Sequence, residues 1–308
     1  VYSIGTPYNW LFAQSLEKTQ NGTIDPSMTF TSETISEELG ITSVWDYELG
    51  KIYVINPSTS KNAVLIDTAM GGYGEADLYG YLVENGLVSK EQTIDVVLTH
   101  NHGDHILGLP SLAASGKLGE LYIHELDAPA VVTADYIDLN NVTYIKDGDT
   151  IPTGGGELEV FEVPGHTQGS EVFFFGDDYI FTGDAIGSGD VWMTATSVEE
   201  YLPYVQRFAA EVNAREAAGA DYTILTGHAE NYAPFTSEYL NNMVKCAEGT
   251  VNGTITPGVY TRRDGNYATF GNANIYFNDA TTNAVMNAQV ETTGQKVVSI
   301  ELTFGSAA

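Results

Sequence analysis

The sequence predicts an α/β fold in which helices flank paired β-sheets. Apolar runs of strand length recur along the 308 residues, and segments with helical spacing separate them. This combination of strands and helices occurs once in the N-terminal half and again in the C-terminal half, which favours two sheets over one. A composition that is 43% hydrophobic is sufficient to bury a core of that size.

The first half alternates strands with helices. Strands are predicted at 43–49, 51–58, 62–68, 93–100 and 120–125 because these segments are apolar or alternate in polarity between turn residues. Residues 74–86 have helical spacing and end at Gly86, a typical residue after a helix. Residues 104–116 also favour a helix, with Pro110 marking an early turn or a break.

The second half begins with two strand-turn-strand patterns, at 142–165 and 171–184. A long amphipathic helix is predicted at 197–219, followed by a strand at 221–228 and a helix at 236–249. The only cysteine, Cys246, lies in the last helix, where we expect a buried thiol.

The chain is strongly acidic, with 41 Asp and Glu against 12 Lys and Arg and a net charge of −29. Such a field repels polyanions, and no apolar run is long enough to span a membrane. We therefore expect a small-molecule substrate, without a nucleic-acid or membrane partner. Sequons at Asn21, Asn141 and Asn252 slightly favour a secreted or extracytoplasmic location, and the start at Val1 suggests a mature or trimmed form.

Side chains typical of metal ligands follow four of the predicted strands. The segment "THNHGDH" contains His100, His102, Asp104 and His105, and later strand ends supply His166 in "PGHTQGS", Asp184 in "FTGDA" and His228 in "LTGHAE". Imidazole and carboxylate groups suit Zn²⁺, and also Fe or Mn, whereas a magnesium or calcium site would be richer in oxygen.

Two further polar residues lie in or at the ends of predicted strands. Asp67 ends a strand, and it is either a hydrogen-bond acceptor for a ligating imidazole or a turn residue. His124 stands alone in "LYIHEL", and we interpret it as structural.

The pattern His100-x-His102-x-Asp104-His105, followed by the three later segments, resembles the metallo-β-lactamase superfamily, whose dinuclear members have ligands at all seven positions. The resemblance implies an αββα sandwich of two mixed β-sheets flanked by helices, with the metals at one edge. It covers the predicted metallo-β-lactamase-like catalytic domain at 41–250. Residues 1–40 are polar and rich in Ser, Thr and Glu, so we expect an N-terminal arm or lid, and the strand patterns of 251–308 predict a β-rich C-terminal extension packed on that domain.

The resemblance also implies the role of each ligand. One metal would be held by His100, His102 and His166, the other by Asp104, His105 and His228, and both by the bridging Asp184. The ions would be two Zn²⁺, with Fe or Mn as alternatives. A metal-bridging hydroxide would be the nucleophile, and Asp104 would orient it and pass a proton to the leaving group.

Departures from the patterns of particular branches narrow the expected chemistry. Asp184 favours the glyoxalase II, lactonase and phosphodiesterase branches over β-lactamases that carry Cys or no ligand there, and His102 argues against flavin-linked diiron reductases, which have Glu. The few basic residues of the C-terminal third, chiefly Lys245, Arg262 and Arg263, argue against a glutathione thioester. The Tyr that many acyl-homoserine lactonases place after the bridging Asp is missing.

The predicted function is therefore metal-dependent hydrolysis of a lactone, ester or thioester, with an amide also compatible. A mononuclear iron persulfide-type oxidoreductase, a phosphodiesterase of the same fold, and a metal-binding protein without turnover remain alternatives. Trp192, Met193 and Tyr232 lie close to ligands in the sequence and either line the substrate pocket or belong to the core.

Overall fold

The computed structural model describes residues 30–46, 50–58, 60–69, 77–132, 137–228, 235–260 and 265–277. Of the sequence-based expectations, those for residues 1–29, for Tyr232 and for residues 278–308 lie outside these ranges. None of the helices in the described part of the chain has both the length and the apolar character that crossing a membrane requires.

The first sheet has seven strands in chain order: β1 (Phe30–Ser36), β2 (Ile41–Asp46), β3 (Gly50–Ile55), β4 (Asn62–Ile66), β5 (Thr93–Val97), β6 (Leu118–His124) and β7 (Val142–Ile145). The strands from β1 to β4 pair antiparallel, and those from β4 to β7 pair parallel. Residues 30–36 of the expected N-terminal arm are therefore an edge strand of this sheet.

The second sheet has five strands: β8 (Thr150–Thr153), β9 (Gly156–Glu162), β10 (Glu171–Phe175), β11 (Tyr179–Thr182) and β13 (Thr223–Thr226). Their spatial order is β13-β11-β10-β9-β8, and only β11 and β13 run parallel. Because side chains alternate along a strand, Phe173 and Phe175 face the first sheet, where they pack with Ile66 and Val97. Their neighbour Phe174 faces the helices instead.

The described ranges contain six helices, numbered here in chain order: α1 (Leu78–Glu84), α2 (Gly103–Ile106), α3 (Leu109–Ala114), α4 (Gly183–Ile186), α5 (Val198–Ala218) and α6 (Ser237–Val251). Single 3₁₀ turns lie at Ala128–Ala130 and Leu139–Asn141. Helices α1 and α3 cover the first sheet, and α5 and α6 cover the second. Pro110 lies in the first turn of α3, so the helix predicted at 104–116 is broken into two.

A third, small sheet joins the C-terminal strands to the segment that follows α4. It contains β12 (Asp190–Trp192), β14 (Gly258–Tyr260), β15 (Gly265–Phe270) and β16 (Ala273–Phe277), with β12 parallel to β16. Its buried face packs with α6 through residues such as Ile275 and Met243. The two main sheets and their outer helices form the αββα sandwich that the sequence predicted.

Candidate metal centre

The seven predicted ligands all come from loops and short helices at one end of the strands. His100 and His102 follow β5, and Asp104 and His105 lie in the first helical turn after them. The remaining three follow the second sheet: His166 after β9, Asp184 in α4 after β11, and His228 after β13. The rigid strands therefore set the positions of the ligands, and the loops present them.

The structure brings these seven residues together in two adjacent groups: His100, His102 and His166 in the first, and Asp104, His105, Asp184 and His228 in the second. Within each group, one potential ligand atom from every residue lies within 4.8 Å of the others. Four of the seven residues are buried, namely His100, Asp104, His105 and His166, and the other three are partly exposed. The grouping matches the division of ligands that the family resemblance implied.

Asp184 is the residue that reaches both groups. Its Oδ2 atom lies 3.1 Å from His228 Nε2 and 3.6 Å from His105 Nε2 in the second group, and 3.5 Å from His166 Nε2 in the first. A single carboxylate oxygen therefore lies between imidazoles that belong to different groups. This is the position that a bridging ligand requires.

Close packing of the backbone makes this approach possible. Gly183, directly before Asp184, has a φ of +47°, and a Cβ atom there would collide with the side chain of Thr99. Gly227, directly before His228, would place a Cβ atom 2.6 Å from Asp184 Oδ1 and 2.8 Å from His105 Cε1. A side chain at either glycine would therefore collide with residues that belong to the centre or lie directly beside it, which favours glycine at both positions.

Buried atoms without partners indicate that the centre is built for cations. His100 Nε2, His105 Nε2 and Asp184 Oδ1 are inaccessible to solvent and have no hydrogen-bond partner among the described residues. Buried polar atoms are normally paired, because leaving one unpaired costs about 1–3 kcal/mol. Three such atoms in one cluster of imidazoles and carboxylates fit divalent metal ions, and zinc, iron and manganese all use these ligand types.

Hydrogen bonds on the outer side of the rings fix the tautomers. Asp67 accepts hydrogen bonds from His105 Nδ1 and from the hydroxyl and backbone N–H of Thr99, each at 2.8 Å. Since the Thr99 hydroxyl hydrogen is used in this way, its oxygen accepts the hydrogen of His100 Nδ1 at 3.0 Å. His166 Nδ1 donates to the carbonyl of Trp192 at 2.8 Å.

Three imidazoles therefore present an Nε2 lone pair to the interior of the centre, as metal ligation requires. Asp67 is thus the hydrogen-bond acceptor of the two interpretations that the sequence left open. It is also strained, with a φ of +60°, because it turns the chain directly after β4.

The two groups differ in electrostatic environment. In the first group, burial lowers the pKa of His166 to about 3, with His102 adding to the effect, and it lowers the pKa of His100 well below the usual range. In the second group, burial also opposes charge, but Asp184 and its neighbouring carboxylates outweigh it and raise the pKa of His228 to about 9. The second group thus attracts positive charge strongly.

The expected pocket residues have different fates. Trp192 is half-buried beside the centre, stacks on Tyr276 with ring centroids 4.2 Å apart, and meets the edge of Tyr260 at 5.4 Å. Met193 is buried in the core cluster that packs with α5 and α6. Tyr232 is outside the described ranges.

Sequence reasoning missed one residue near the centre. The carboxylate of Asp190 accepts a hydrogen bond from the Trp192 side chain and interacts electrostatically with His228 and Asp184, while burial raises its pKa. The sequence signal for Asp190 is the alternation of polar and apolar residues from Asp190 to Trp192, which is typical of a strand. Three residues are too few to identify a strand from this alternation.

Comparison with known proteins agrees with this geometry. The family model described as the metallo-beta-lactamase superfamily matches residues 46–231, which is more than half of the chain. The chain belongs to the metallo-beta-lactamase superfamily. The matched range contains all seven residues of the two groups.

Individual members of the superfamily resemble this chain at low sequence identity. A hydroxyacylglutathione hydrolase from Xylella fastidiosa is 31% identical over 133 residues, which cover 42% of this chain and 47% of that protein. The match thus spans about half the length of this relative.

Two solved structures share the fold. A metallo-beta-lactamase from Pontibacter korlensis is 21% identical, with a TM-score of 0.55 over 71% of this chain and 99% of its own. A variant of the flavo di-iron protein from Thermotoga maritima is 19% identical, with a TM-score of 0.51 over 72% and 63%.

Proposed function

We propose that this protein is a dinuclear metal hydrolase that cleaves the carbonyl bond of a lactone, ester or thioester. The observation that carries the proposal is the position of Asp184, whose Oδ2 lies within 3.6 Å of imidazoles from both groups. A mononuclear iron enzyme would need only one set of ligands. A second set, joined to the first by a shared carboxylate, supports two ions.

Zinc is the proposed metal, because it binds imidazoles and carboxylates and because hydrolysis requires no redox-active ion. Two divalent cations in this centre would supply Lewis acidity and a water molecule with a lowered pKa. The hydroxyacylglutathione hydrolase relative supports a thioester among the candidate substrates. Arg262 and Arg263, which bear on glutathione binding, fall outside the described ranges.

The residues of the chain then have distinct tasks. Asp67 and the Trp192 carbonyl hold the imidazoles in orientation through their outer N–H groups. Asp104 is 3% exposed, and its Oδ2 lies 3.5 Å from His228 Nε2 and 3.9 Å from His105 Nε2. From this position it can accept a proton from the attacking water and return it to the leaving group.

Trp192 and Asp190 form the part of the site that contacts the rest of the substrate in this proposal. The Trp192 ring offers a flat apolar surface, and the Asp190 carboxylate beside it accepts hydrogen bonds. These groups favour a neutral or cationic substrate over an anionic one, in agreement with the net charge of −29.

Metal analysis combined with a substrate panel tests the proposal. The purified protein is expected to contain two zinc ions per chain and to hydrolyse at least one of a set of lactones, esters and thioesters, with chelation removing both metal and activity. One iron per chain together with oxygen consumption on a persulfide would support the oxidoreductase instead. Cleavage confined to phosphodiesters would identify the phosphodiesterase, and two ions without any turnover would contradict an enzymatic role.

A further inference from the structure

Outside the metal centre, Glu171 is a buried carboxylate without a hydrogen-bond partner. It is 0% exposed, and neither Oε1 nor Oε2 meets a donor among the described residues. Burying a carboxylate costs several kcal/mol unless a partner compensates for its charge. Glu171 belongs to neither group of the metal centre, so its burial requires a separate explanation.

A second carboxylate lies directly opposite. Glu171 on β10 pairs with Glu162 on β9 in the antiparallel register, so their side chains are neighbours on one face of the sheet. The same face carries Phe173 and Phe175 into the layer between the sheets. Two like charges placed opposite each other at the end of an apolar layer repel one another, and solvent screens them weakly.

His124 orients Glu162 from the first sheet. Its Nδ1 accepts the backbone N–H of Leu126 at 3.1 Å, so the ring hydrogen is on Nε2, which lies 3.3 Å from Glu162 Oε1. One potential ligand atom from each of His124, Glu162 and Glu171 lies within 4.8 Å of the others. In this tautomer His124 donates to Glu162 and leaves the carboxylate oxygens as the available ligands.

The acidic residues around Glu171 make its surroundings favourable for a cation. Burial, followed by the charges of Glu162, Asp127, Asp149 and Asp147, raises the pKa of Glu171 to about 9. Arg207 lies in the same region, but its two terminal nitrogens are bound to Asp147 at 2.7 and 2.8 Å and to the Glu162 carbonyl at 3.0 Å. No hydrogen bond from Arg207 to the Glu171 carboxylate is present.

We propose that Glu162 and Glu171 bind a third divalent cation, of the hard, oxygen-preferring class represented by Ca²⁺. Two carboxylates without an available imidazole lone pair suit such an ion, which completes its shell with water. The Glu162 side chain is 30% exposed, so the site has access to solvent. The site differs in chemistry from the imidazole-rich centre, and it does not depend on the proposed hydrolysis.

The site is joined to the metal centre through the backbone. The N–H of Glu171 donates to the carbonyl of Thr99 at 3.0 Å, and the side chain of Thr99 holds Asp67 and His100. An ion at Glu162 and Glu171 would therefore stabilise the contact between the two sheets directly beside the first group of ligands.

Calcium binding to the zinc-loaded protein tests the proposal, because Ca²⁺ does not compete for imidazole ligands. Equilibrium dialysis at fixed ionic strength is expected to give one more bound calcium in the parent protein than in Glu171→Gln. Thermal unfolding should show a Tm that rises with calcium, by several degrees at about 100 times the Kd. Glu157→Gln, an exposed position on the same strand, is the matched control and should retain both effects.

The variants also separate a bound cation from a bound proton. Without calcium and at neutral pH, Glu171→Gln should be more stable than the parent, because the parent must take up a proton at Glu171 on folding or bury its charge, whereas the amide is neutral in both states. If that gain occurs but calcium neither binds nor raises the Tm of the parent, Glu171 carries a proton and the proposal is wrong. Should Glu171→Gln fail to fold, Glu162→Gln, at a partly exposed position, gives the same comparison. Asp184→Asn should lose zinc and keep the calcium.

Discussion

The two groups of the metal centre lie side by side, yet they prepare their imidazoles in opposite ways. In the metal-free protein, burial keeps His100 and His166 of the first group neutral, while Asp184 and its neighbouring carboxylates raise the pKa of His105 and His228 in the second. Neutral rings suit ligation directly, whereas a field that attracts protons also attracts a metal cation. We therefore expect electrostatic attraction to contribute more to cation binding at the second group than at the first.

The largest expected effect comes from Asp184→Asn, which removes the carboxylate that lies between the two groups. We expect the affinity for both ions to fall. Activity should fall by more than roughly 100-fold, which is the upper range for removing a residue that only hydrogen-bonds a metal ligand. Metal content by mass spectrometry and kcat/KM are the measurements. Asp177→Asn, exposed in the turn after β10, is the control, and an unchanged metal content in Asp184→Asn would contradict the bridging role.

Two substitutions at residues that hydrogen-bond the ligating imidazoles should distinguish metal binding at the two groups. Asp67→Asn replaces one of the two accepting oxygens with an NH2 donor, so it can no longer accept from the Thr99 N–H on one side and from His105 and the Thr99 hydroxyl on the other. Because His105 is oriented directly and His100 through Thr99, binding of both ions should weaken by roughly 10- to 100-fold. Thr99→Val removes only the hydroxyl that meets His100 and should weaken the first ion alone. Competitive chelator titrations measure the two affinities, and equal losses at both ions in Thr99→Val would contradict this division.

The metal-free protein should lose stability on both sides of the ordinary histidine pKa of about 6.5. The folded pKa of His166 is depressed to about 3, so the unfolded chain binds the extra proton and stability falls as the pH drops from 6.5 towards 3. The folded pKa of His228 is raised to about 9, so its contribution is complete below pH 6.5 and is lost as the pH rises towards 9.

Denaturant unfolding across this range, in the presence of a chelator, checks both signs. His166→Ala should flatten the acidic side of the profile, and His228→Ala should flatten the alkaline side. Glu171→Gln has to be included as a reference, because the raised pKa of Glu171 also contributes a loss of stability as the pH rises towards 9. Profiles that respond to the two histidine variants identically would contradict the contrast between the groups.

The smallest effect is expected at Trp192, which adjoins the first group without supplying a ligand. Trp192→Ala keeps the backbone carbonyl that holds His166, so metal content should be unchanged. Loss of the aromatic surface should raise KM roughly threefold to tenfold, the range that aromatic contacts contribute. Tyr144→Ala, at an exposed aromatic on β7, is the control, and a drop in metal content in Trp192→Ala would assign the ring a structural role.

Much of the site was predictable because ligand chemistry is local. Three imidazoles and a carboxylate within "THNHGDH" indicate metal binding at the level of residue types, and His166, Asp184 and His228 each follow an apolar strand. Asp67 could be suspected for the same reason. Asp190 and Glu171 could not, since an isolated acidic residue in a sequence gives no information about burial or about the charges around it.

The sequence by itself determined most of the strands and helices, their arrangement as helices flanking paired sheets, the metal-binding character of the site and its seven candidate residues. These follow from periodicity and residue type, which are properties of short segments. The αββα sandwich was implied by the resemblance of the ligand pattern to the metallo-β-lactamase superfamily. Only the tertiary structure decided that Asp184 lies between the two groups, that Asp67 fixes ring tautomers, and that Glu171 lies opposite Glu162 in an apolar layer. Each of these depends on distances between residues far apart in the chain, which are set by the packing of one sheet against the other.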